Sequence, residues 1–165
     1  MDQLKKDFYK KISFDEDILK NKNILSNKIC NHNILVIGGA GTIGSSYIKQ
    51  ILKYKPSKIT VVDINENGLT ELTRDLRSSD LLDYNPEYIT YPVNLLSDTF
   101  DKIFNYDNWG VVANFSAHKH VRSEKDKISV EALIKNNVYG AIKLLNLCQQ
   151  NPPKYFFSVS TDKAA

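Results

Sequence analysis

Three glycines stand at equal spacing where an apolar run near the start of the chain breaks off. Gly38, Gly41 and Gly44 form the pattern G-x-x-G-x-x-G directly after residues 34–37. Glycine adopts backbone angles closed to other residues, and without a Cβ the chain can lie close to a phosphate. A helix starting here would direct free N–H groups and its dipole at that negative charge. The pattern indicates a cradle for the pyrophosphate of a dinucleotide, with an ordinary βαβ turn as the alternative.

An acidic residue follows at the distance expected for a ribose-binding group. Asp63 ends the apolar run 59–62, about twenty residues beyond the glycines. Its carboxylate can accept hydrogen bonds from ribose hydroxyls and would repel a 2′-phosphate, so NAD is favoured as the cofactor and NADP is the alternative. The alternative role of Asp63 is to stabilise the next helix through the helix dipole alone. Further residues predicted to contact the cofactor are Thr42, Ile43, Asn65 and Asn94.

The end of the fourth apolar run carries small and basic residues. Ser116 and Ala117 would let the backbone pass beside the nicotinamide ribose, and Lys119 could meet a diphosphate. A solvated basic loop is the alternative interpretation. His118 and His120 do not predict a metal site, because no nearby Cys, Asp or Glu completes a ligand set.

A hydroxyl, an acid and an amine follow the fifth apolar run in succession. Thr161, Asp162 and Lys163 could polarise a substrate, donate a proton and abstract one, provided that burial and neighbours tune their pKa values. The alternative is a polar loop at a strand end. Tyr139 and Lys143 also match Y-x-x-x-K, but they precede the fifth strand, and we interpret that match as coincidence.

Strand and helix patterns alternate along residues 33–165, after a polar lead of one or two short helices in residues 1–32. Strands are predicted near 33–38, 58–63, 88–93, 110–115 and 154–160, and helices near 42–54, 66–79, 98–105 and 127–150. The first of these helices should bury one face, made of Ile43, Tyr47, Ile48, Ile51 and Leu52. Apolar strands alternating with helices predict an α/β fold: a doubly wound parallel sheet, Rossmann-type, in three α/β/α layers. The residues above then lie beyond the carboxyl ends of the strands.

Composition narrows the class of protein. The 165 residues suggest one domain, and a net charge of +3 is too small to indicate nucleic-acid binding. No stretch approaches the length of a membrane span, and the start lacks the apolar segment of a secretory signal. Cys30 and Cys148 show no disulfide or metal-ligand spacing, which fits a reducing compartment. The expected location is therefore the cytoplasm.

The chain resembles the extended short-chain dehydrogenase/reductases that act on nucleotide sugars, and among them the polysaccharide-biosynthesis group with UDP-N-acetylglucosamine 4,6-dehydratases. The matching segments are GGAGTIGS (38–45), VVDINENGLTEL (61–72), SAHKHVRSEKD (116–126), NNVYGAIKLL (136–145) and VSTDKAA (159–165). The resemblance implies oxidation of a UDP-sugar at C4, which makes the C5 proton acidic, and return of the hydride to C6.

The resemblance also implies roles for individual residues. Lys163 would remove the C5 proton, Asp162 would protonate the departing C6 hydroxyl, and Thr161 would hydrogen-bond the reacting region. Asn137 matches a family asparagine that braces the strand ends at the site. Asn94 departs from the family, where an aspartate is frequent, and Ile37 replaces a threonine.

The chain stops at Ala165, before the tyrosine or its substitute, the lysine and the sugar-binding lobe that the family would supply later. We therefore expect the cofactor-binding half of such an enzyme, without catalysis by this chain alone. A 4-epimerase or C4 dehydrogenase is an alternative, as is a non-catalytic dinucleotide-binding module. Assembly into a homo-oligomer stays open.

Overall fold

A computed structural model describes residues 14–118 and 126–159 of the chain. Its five strands are β1 Asn33–Ile37, β2 Lys58–Asp63, β3 Glu87–Pro92, β4 Val111–Asn114 and β5 Tyr155–Ser158. The helices of the described ranges are α1 Phe14–Lys20, α2 Lys22–Ile29, α3 Thr42–Leu52, α4 Glu66–Ser78, α5 Asp98–Asn105, α6 Lys127–Ile134 and α7 Gly140–Gln150, with a π-helical turn at Lys135–Tyr139 between the last two.

All strand pairs are parallel, and the strands lie in the order β3-β2-β1-β4-β5. The chain builds the sheet outward from β1 to β3 and then crosses back to place β4 on the other side of β1. This is the doubly wound, Rossmann-type arrangement that the sequence predicted. The point where the winding reverses, between β1 and β4, is where such sheets leave a crevice for ligands.

The central strands are apolar throughout because helices cover both faces of the sheet. In β1, Ile34 and Val36 belong to one core cluster, with residues of α3 and α4, whereas Leu35 and Ile37 belong to the other, with residues of α5 and α7. These four side chains are at most 2% exposed. Alternating residues of one strand therefore fill two separate cores, as is typical of a parallel sheet. Ile29 of α2 joins the first core, so this helix packs on the domain.

Side-chain caps fix where several helices begin. The Asn65 side chain accepts a hydrogen bond from the Gly68 N–H at 3.0 Å, and Ser97 caps α5 in the same way. Each cap satisfies one of the amide groups that a helix start leaves without a partner. Gly41, at the start of α3, has no side chain with which to do this.

Two expectations were wrong in detail. Ile43 does not join the buried face of α3: it is 49% exposed, while Ile48, Ile51 and Leu52 are buried. The helix predicted over 127–150 is not continuous α-helix, since residues 135–139 form a π-helical turn. Such turns insert one extra residue and occur often at functional sites.

A buried ion cluster joins the amino ends of the strands. The Lys58 side chain is 8% exposed, and its Nζ lies 3.0 Å from Glu87 Oε1 and 2.9 Å from Asp107 Oδ2. Asn33 Nδ2 donates to Asp107 Oδ1 at 2.8 Å. The cluster therefore connects β1, β2, β3 and the loop before β4 at the edge opposite the glycines.

Burial and pairing act in opposite directions on the two main charges. Burial would lower the pKa of Lys58, but hydrogen bonds to Asp107 and Glu87 outweigh it and raise that pKa overall. Burial would raise the pKa of Asp107, but hydrogen bonds from Lys58 and Asn33 outweigh it and lower that pKa overall. Asp107 therefore contributes stability above about pH 4 that is lost as the pH falls through its lowered pKa, whereas the contribution of Lys58 is lost only as the pH rises through its raised pKa.

Replacing Lys58 by alanine should lower the free energy of unfolding by about 1–3 kcal/mol, because it leaves the partly buried Asp107 carboxylate without its cation. Lys49→Ala is the matched control: Lys49 pairs with Asp75 at the surface, where such pairs contribute about 1 kcal/mol or less. Urea denaturation at pH 7 measures both. The difference between wild type and Lys58→Ala should shrink below about pH 4 as Asp107 is protonated. An equal decrease in the free energy of unfolding in the two variants would contradict a stabilising role of the Lys58 cluster.

Candidate functional site

A groove opens at the carboxyl edge of the sheet, where the winding reverses. It holds about 710 Å³ of space, including the part open to solvent, and extends from the ends of β1 and β2 to the loop after β4. Of the residues predicted to bind the cofactor, those that line it are Gly38, Gly41, Asp63, Asn94, Ser116 and Ala117.

The glycine loop is shaped by contacts that leave no room for side chains. Gly38 has a φ of +74°, and a Cβ there would lie 2.6 Å from the Ser116 amide nitrogen. A Cβ on Gly44 would collide with the Gly38 carbonyl oxygen. Gly41 differs, because a Cβ there would meet only the Gly38 oxygen, at 3.4 Å. The outer glycines thus serve backbone packing, and Gly41 leaves its surface open to the groove.

Asp63 links the glycine loop to the end of β2. Its Oδ2 accepts from the Ala40 N–H at 2.9 Å, and its Oδ1 accepts from the Asn65 N–H at 3.0 Å. A carboxylate has about four acceptor positions, so each oxygen can still accept from a ligand hydroxyl. Beside Asp63, α3 begins directly after Gly41, and no side chain caps this helix. The backbone N–H groups of its first turn can therefore donate to a bound anion. The groove therefore offers donors for phosphate and acceptors for ribose a short distance apart.

Other predicted cofactor residues lie around the groove rather than in its wall. Thr42 and Ile43 are exposed on the first turn of α3, and the Asn65 side chain caps α4 instead of lining the groove. Asn94 does line the groove, and its Oδ1 also accepts from the Leu96 N–H at 2.8 Å. Asn94 is therefore both a groove residue and a residue that holds the turn after β3.

Asn137 holds the loop that follows β4. Its Oδ1 accepts from the His118 N–H at 2.8 Å, and its Nδ2 donates to the His118 carbonyl oxygen at 2.9 Å. Asn137 lies on the π-helical turn, whose Asn136 lines the groove. The Asn137 side chain thus contacts only the backbone of this loop in these two bonds. It would influence a bound cofactor indirectly, by holding the loop in place. Lys119, Thr161, Asp162 and Lys163 lie outside the described residues.

Sequence reasoning missed Asn114 as a site residue. It ends β4, is 6% exposed, and hydrogen-bonds Ser116 on one side and Ser158 of β5 on the other. The available signal was an amide at the end of an otherwise apolar strand. Such a buried amide requires partners, because leaving it unpaired is costly.

An aromatic cluster adjoins the groove. The ring centroids of Tyr47 on α3, Phe115 just after β4 and Phe157 on β5 lie 5.1–5.6 Å apart, and Phe115 also lines the groove. Burial raises the pKa of Tyr47 to about 12, so its phenol stays neutral at physiological pH.

Lys143, which the sequence places in a Y-x-x-x-K match with Tyr139, has a structural contact. Its Nζ lies 2.6 Å from Asp101 Oδ1 and donates to the Ser97 carbonyl, joining α7 to α5.

The sequence profile of the polysaccharide biosynthesis protein family matches residues 34–165. The chain belongs to that family. Among curated relatives, a UDP-N-acetylglucosamine 4,6-dehydratase (inverting) of Campylobacter jejuni is 29% identical over 133 residues, 80% of this chain and 37% of its own length. A protein of Methanocaldococcus jannaschii described as an uncharacterized membrane protein is 32% identical over 146 residues, 85% of this chain and 39% of its own length. The chain thus spans less than two fifths of either relative.

Solved structures share the fold of this polysaccharide biosynthesis family member. Pen from Bacillus thuringiensis superposes with a TM-score of 0.67 at 25% identity, over 80% of this chain and 39% of that one. A UDP-glucose-4-epimerase of Stenotrophomonas maltophila, solved with NAD and formylated UDP-arabinopyranose, gives a TM-score of 0.63 at 20% identity, over 79% and 37%. In the ranges that the structure describes, no helix combines the length and apolar character needed to cross a bilayer.

Gly44→Ala should lower the free energy of unfolding by about 1–3 kcal/mol, because the added methyl group collides with the Gly38 carbonyl. Gly41→Ala, with the same change in composition, meets only an ordinary contact and should cost less than about 1 kcal/mol. Thermal and urea unfolding of the two variants test the difference. A Gly41 variant that is the less stable of the two would refute the assigned packing.

Proposed function

We propose that the chain binds NAD and serves as the cofactor-binding domain of an enzyme that modifies nucleotide sugars in polysaccharide biosynthesis. The observation that carries the proposal is the groove at the winding reversal, where the glycine loop, the start of α3 and Asp63 converge. Amide donors suit a pyrophosphate, and the carboxylate suits ribose hydroxyls. The epimerase with bound NAD supports the choice of ligand by likeness of fold. A cytoplasmic location and homo-oligomeric assembly stay predictions.

Charge favours NAD over NADP. Asp63 is held by two backbone amide groups, so its carboxylate has a fixed orientation at the end of β2. Among the described residues that line the groove there is no lysine or arginine to offset a 2′-phosphate. The extra phosphate of NADP would therefore meet a carboxylate without a compensating cation.

The finer proposal is a UDP-N-acetylhexosamine 4,6-dehydratase. It rests on the resemblance, on the Campylobacter relative, and on where β5 leads. Ser158 pairs in register with Asn114, so the chain leaves β5 at the same edge as the groove. Lys163 lies five residues beyond Ser158, and five extended residues reach at most about 18 Å. That short reach supports an approach of Thr161, Asp162 and Lys163 to a sugar beside the cofactor.

The proposed chemistry divides between the cofactor and the chain. When bound, NAD would accept a hydride from C4 of the sugar and return it to C6. Lys163 would take the C5 proton, which the neighbouring C4 ketone makes acidic, and Asp162 would protonate the C6 hydroxyl as it leaves as water. A proton would return to C5 as the hydride reaches C6. Thr161 would hydrogen-bond the reacting region. A 4-epimerase or C4 dehydrogenase needs no acid and base at these two positions, and a binding module needs none of the three residues.

NAD should bind more tightly than NADP, and Asp63→Ala should narrow that difference. Losing the ribose contacts should weaken NAD binding by about 1.5 kcal/mol, roughly tenfold, while NADP loses a repulsive neighbour. Glu71→Ala removes the same charge from an exposed position on α4 and should change neither affinity. Isothermal titration calorimetry with both cofactors measures the effect. A preference of the wild type for NADP would contradict the charge argument.

In a protein that joins this domain to a sugar-binding lobe, Lys163→Ala should abolish the 4-keto-6-deoxy product from UDP-N-acetylglucosamine and leave NAD affinity unchanged. Lys154→Ala is the matched control, because Lys154 lies just before the opposite end of β5. Product formation is followed by mass spectrometry or NMR. Dehydration that persists in the Lys163 variant would exclude that lysine as the base, and epimerised sugar without loss of water would favour the epimerase alternative.

A further inference from the structure

Asn114 is a buried amide with three hydrogen bonds at the carboxyl edge of the sheet. Its Oδ1 lies 3.1 Å from the Ser116 amide nitrogen and 2.6 Å from Ser116 Oγ. Its Nδ2 lies 3.1 Å from Ser158 Oγ, across the β4–β5 pair. The residue is 6% exposed. Every one of its partners is therefore protein, and the network alone determines how the amide is oriented.

The network fixes the direction of each hydrogen bond. The Ser116 N–H can only donate, so the amide atom facing it must be the oxygen. That oxygen cannot donate, so the Ser116 hydroxyl must direct its proton at Asn114. Ser116 lines the groove, and its hydroxyl is then left with lone pairs to present to a ligand. On the other side, Ser158 Oγ accepts from the amide and keeps its own proton for another partner.

We propose that Asn114 is a positioning residue that holds Ser116 as a hydrogen-bond acceptor toward the groove, so that this point selects a ligand hydroxyl and disfavours phosphate or carboxylate. The inference rests on the proposed function. Ser116 packs directly against the glycine loop, since a Cβ on Gly38 would lie 2.6 Å from its amide nitrogen. In the proposed binding mode one ribose lies at Asp63, and the ribose on the other side of the pyrophosphate would lie toward Ser116, which lines the same groove. Ribose carries hydroxyl donors, whereas phosphate oxygens only accept.

A purely structural role for Asn114 predicts something different. If the amide only ties β4 to β5, its loss would weaken the end of the sheet, and cofactor affinity would respond equally with or without the Ser116 hydroxyl. If Asn114 acts through Ser116, its effect on affinity should vanish once that hydroxyl is removed. The two roles therefore separate in a double-mutant cycle.

The cycle measures NADH binding by fluorescence titration in the 165-residue chain. Asn114→Leu and Ser116→Ala should each weaken binding about two- to tenfold, the range that one hydrogen bond contributes. The double variant should bind no more weakly than Ser116→Ala alone. Ser158→Ala removes the hydrogen bond from Asn114 to β5 but leaves the Ser116 hydroxyl directed at Asn114. The affinity of this variant for NADH should therefore stay within about twofold of wild type. Losses that multiply in the double variant, or a Ser158 effect as large as that of Asn114, would overturn the inference.

A measurement without cofactor separates this inference from the proposed function. The Asn114 side-chain amide protons should shift in ¹⁵N NMR spectra on Ser158→Ala and much less on Ser116→Ala, because Nδ2 faces Ser158. A response confined to Ser116→Ala would mean that the amide is reversed, and the inference would be wrong whatever binds. If the NMR result is as expected but wild type binds neither NADH nor NAD, the proposed function fails, and with it the assignment of the ligand hydroxyl to ribose.

Discussion

Close approach of backbone to backbone at the glycine loop is the constraint on which the carboxyl edge depends. Gly38 lies against the Ser116 amide, and Gly44 lies against the Gly38 carbonyl, so the ends of β1 and β4 and the start of α3 meet without intervening side chains. This packing helps to bring the first turn of α3, Asp63 and Ser116 around one groove. A side chain at either glycine would separate the elements whose amide and carboxylate groups give the groove its binding character.

The two ends of the sheet are held by different kinds of interaction. At the amino end, Lys58 and Asp107 form an ion pair whose members keep each other charged despite burial, and that end carries stability. At the carboxyl end, neutral hydrogen bonds of Asn114 and Asn137 orient hydroxyl and backbone groups. Because these amide groups are neutral, the charge of the groove is determined by the Asp63 carboxylate and by the N–H groups at the start of α3. A fixed cation placed there would remove the charge basis for distinguishing the two cofactors.

Local pattern was enough to predict the strands and most helices, because a parallel strand buried on both faces is apolar along its whole length and glycine or asparagine marks the turns. Observed strand ends fall within two residues of the predicted ones, except where the fifth prediction runs past the described range. The groove residues Gly38, Gly41 and Asp63 were found for the same reason. The π-helical turn, the exposed Ile43 and the burial of Lys58 were not predicted. The burial of Lys58 depends on its pairing with Asp107, and the position of the Asn114 amide depends on its bond to Ser158 across 44 positions; spacing along the chain does not encode such contacts.

Register between β4 and β5 determines where the chain emerges toward the proposed acid–base residues. All four β5 residues are exposed, so burial alone does not fix this strand; the backbone ladder, the Asn114–Ser158 bond and the contacts of Phe157 with Tyr47 and Phe115 do. A slip of one residue would turn each side chain of β5 to the opposite face. It would move Phe157 out of the aromatic cluster and Ser158 away from Asn114 together. The same two contacts that hold β5 therefore also set the starting point of the segment from which Thr161, Asp162 and Lys163 would act.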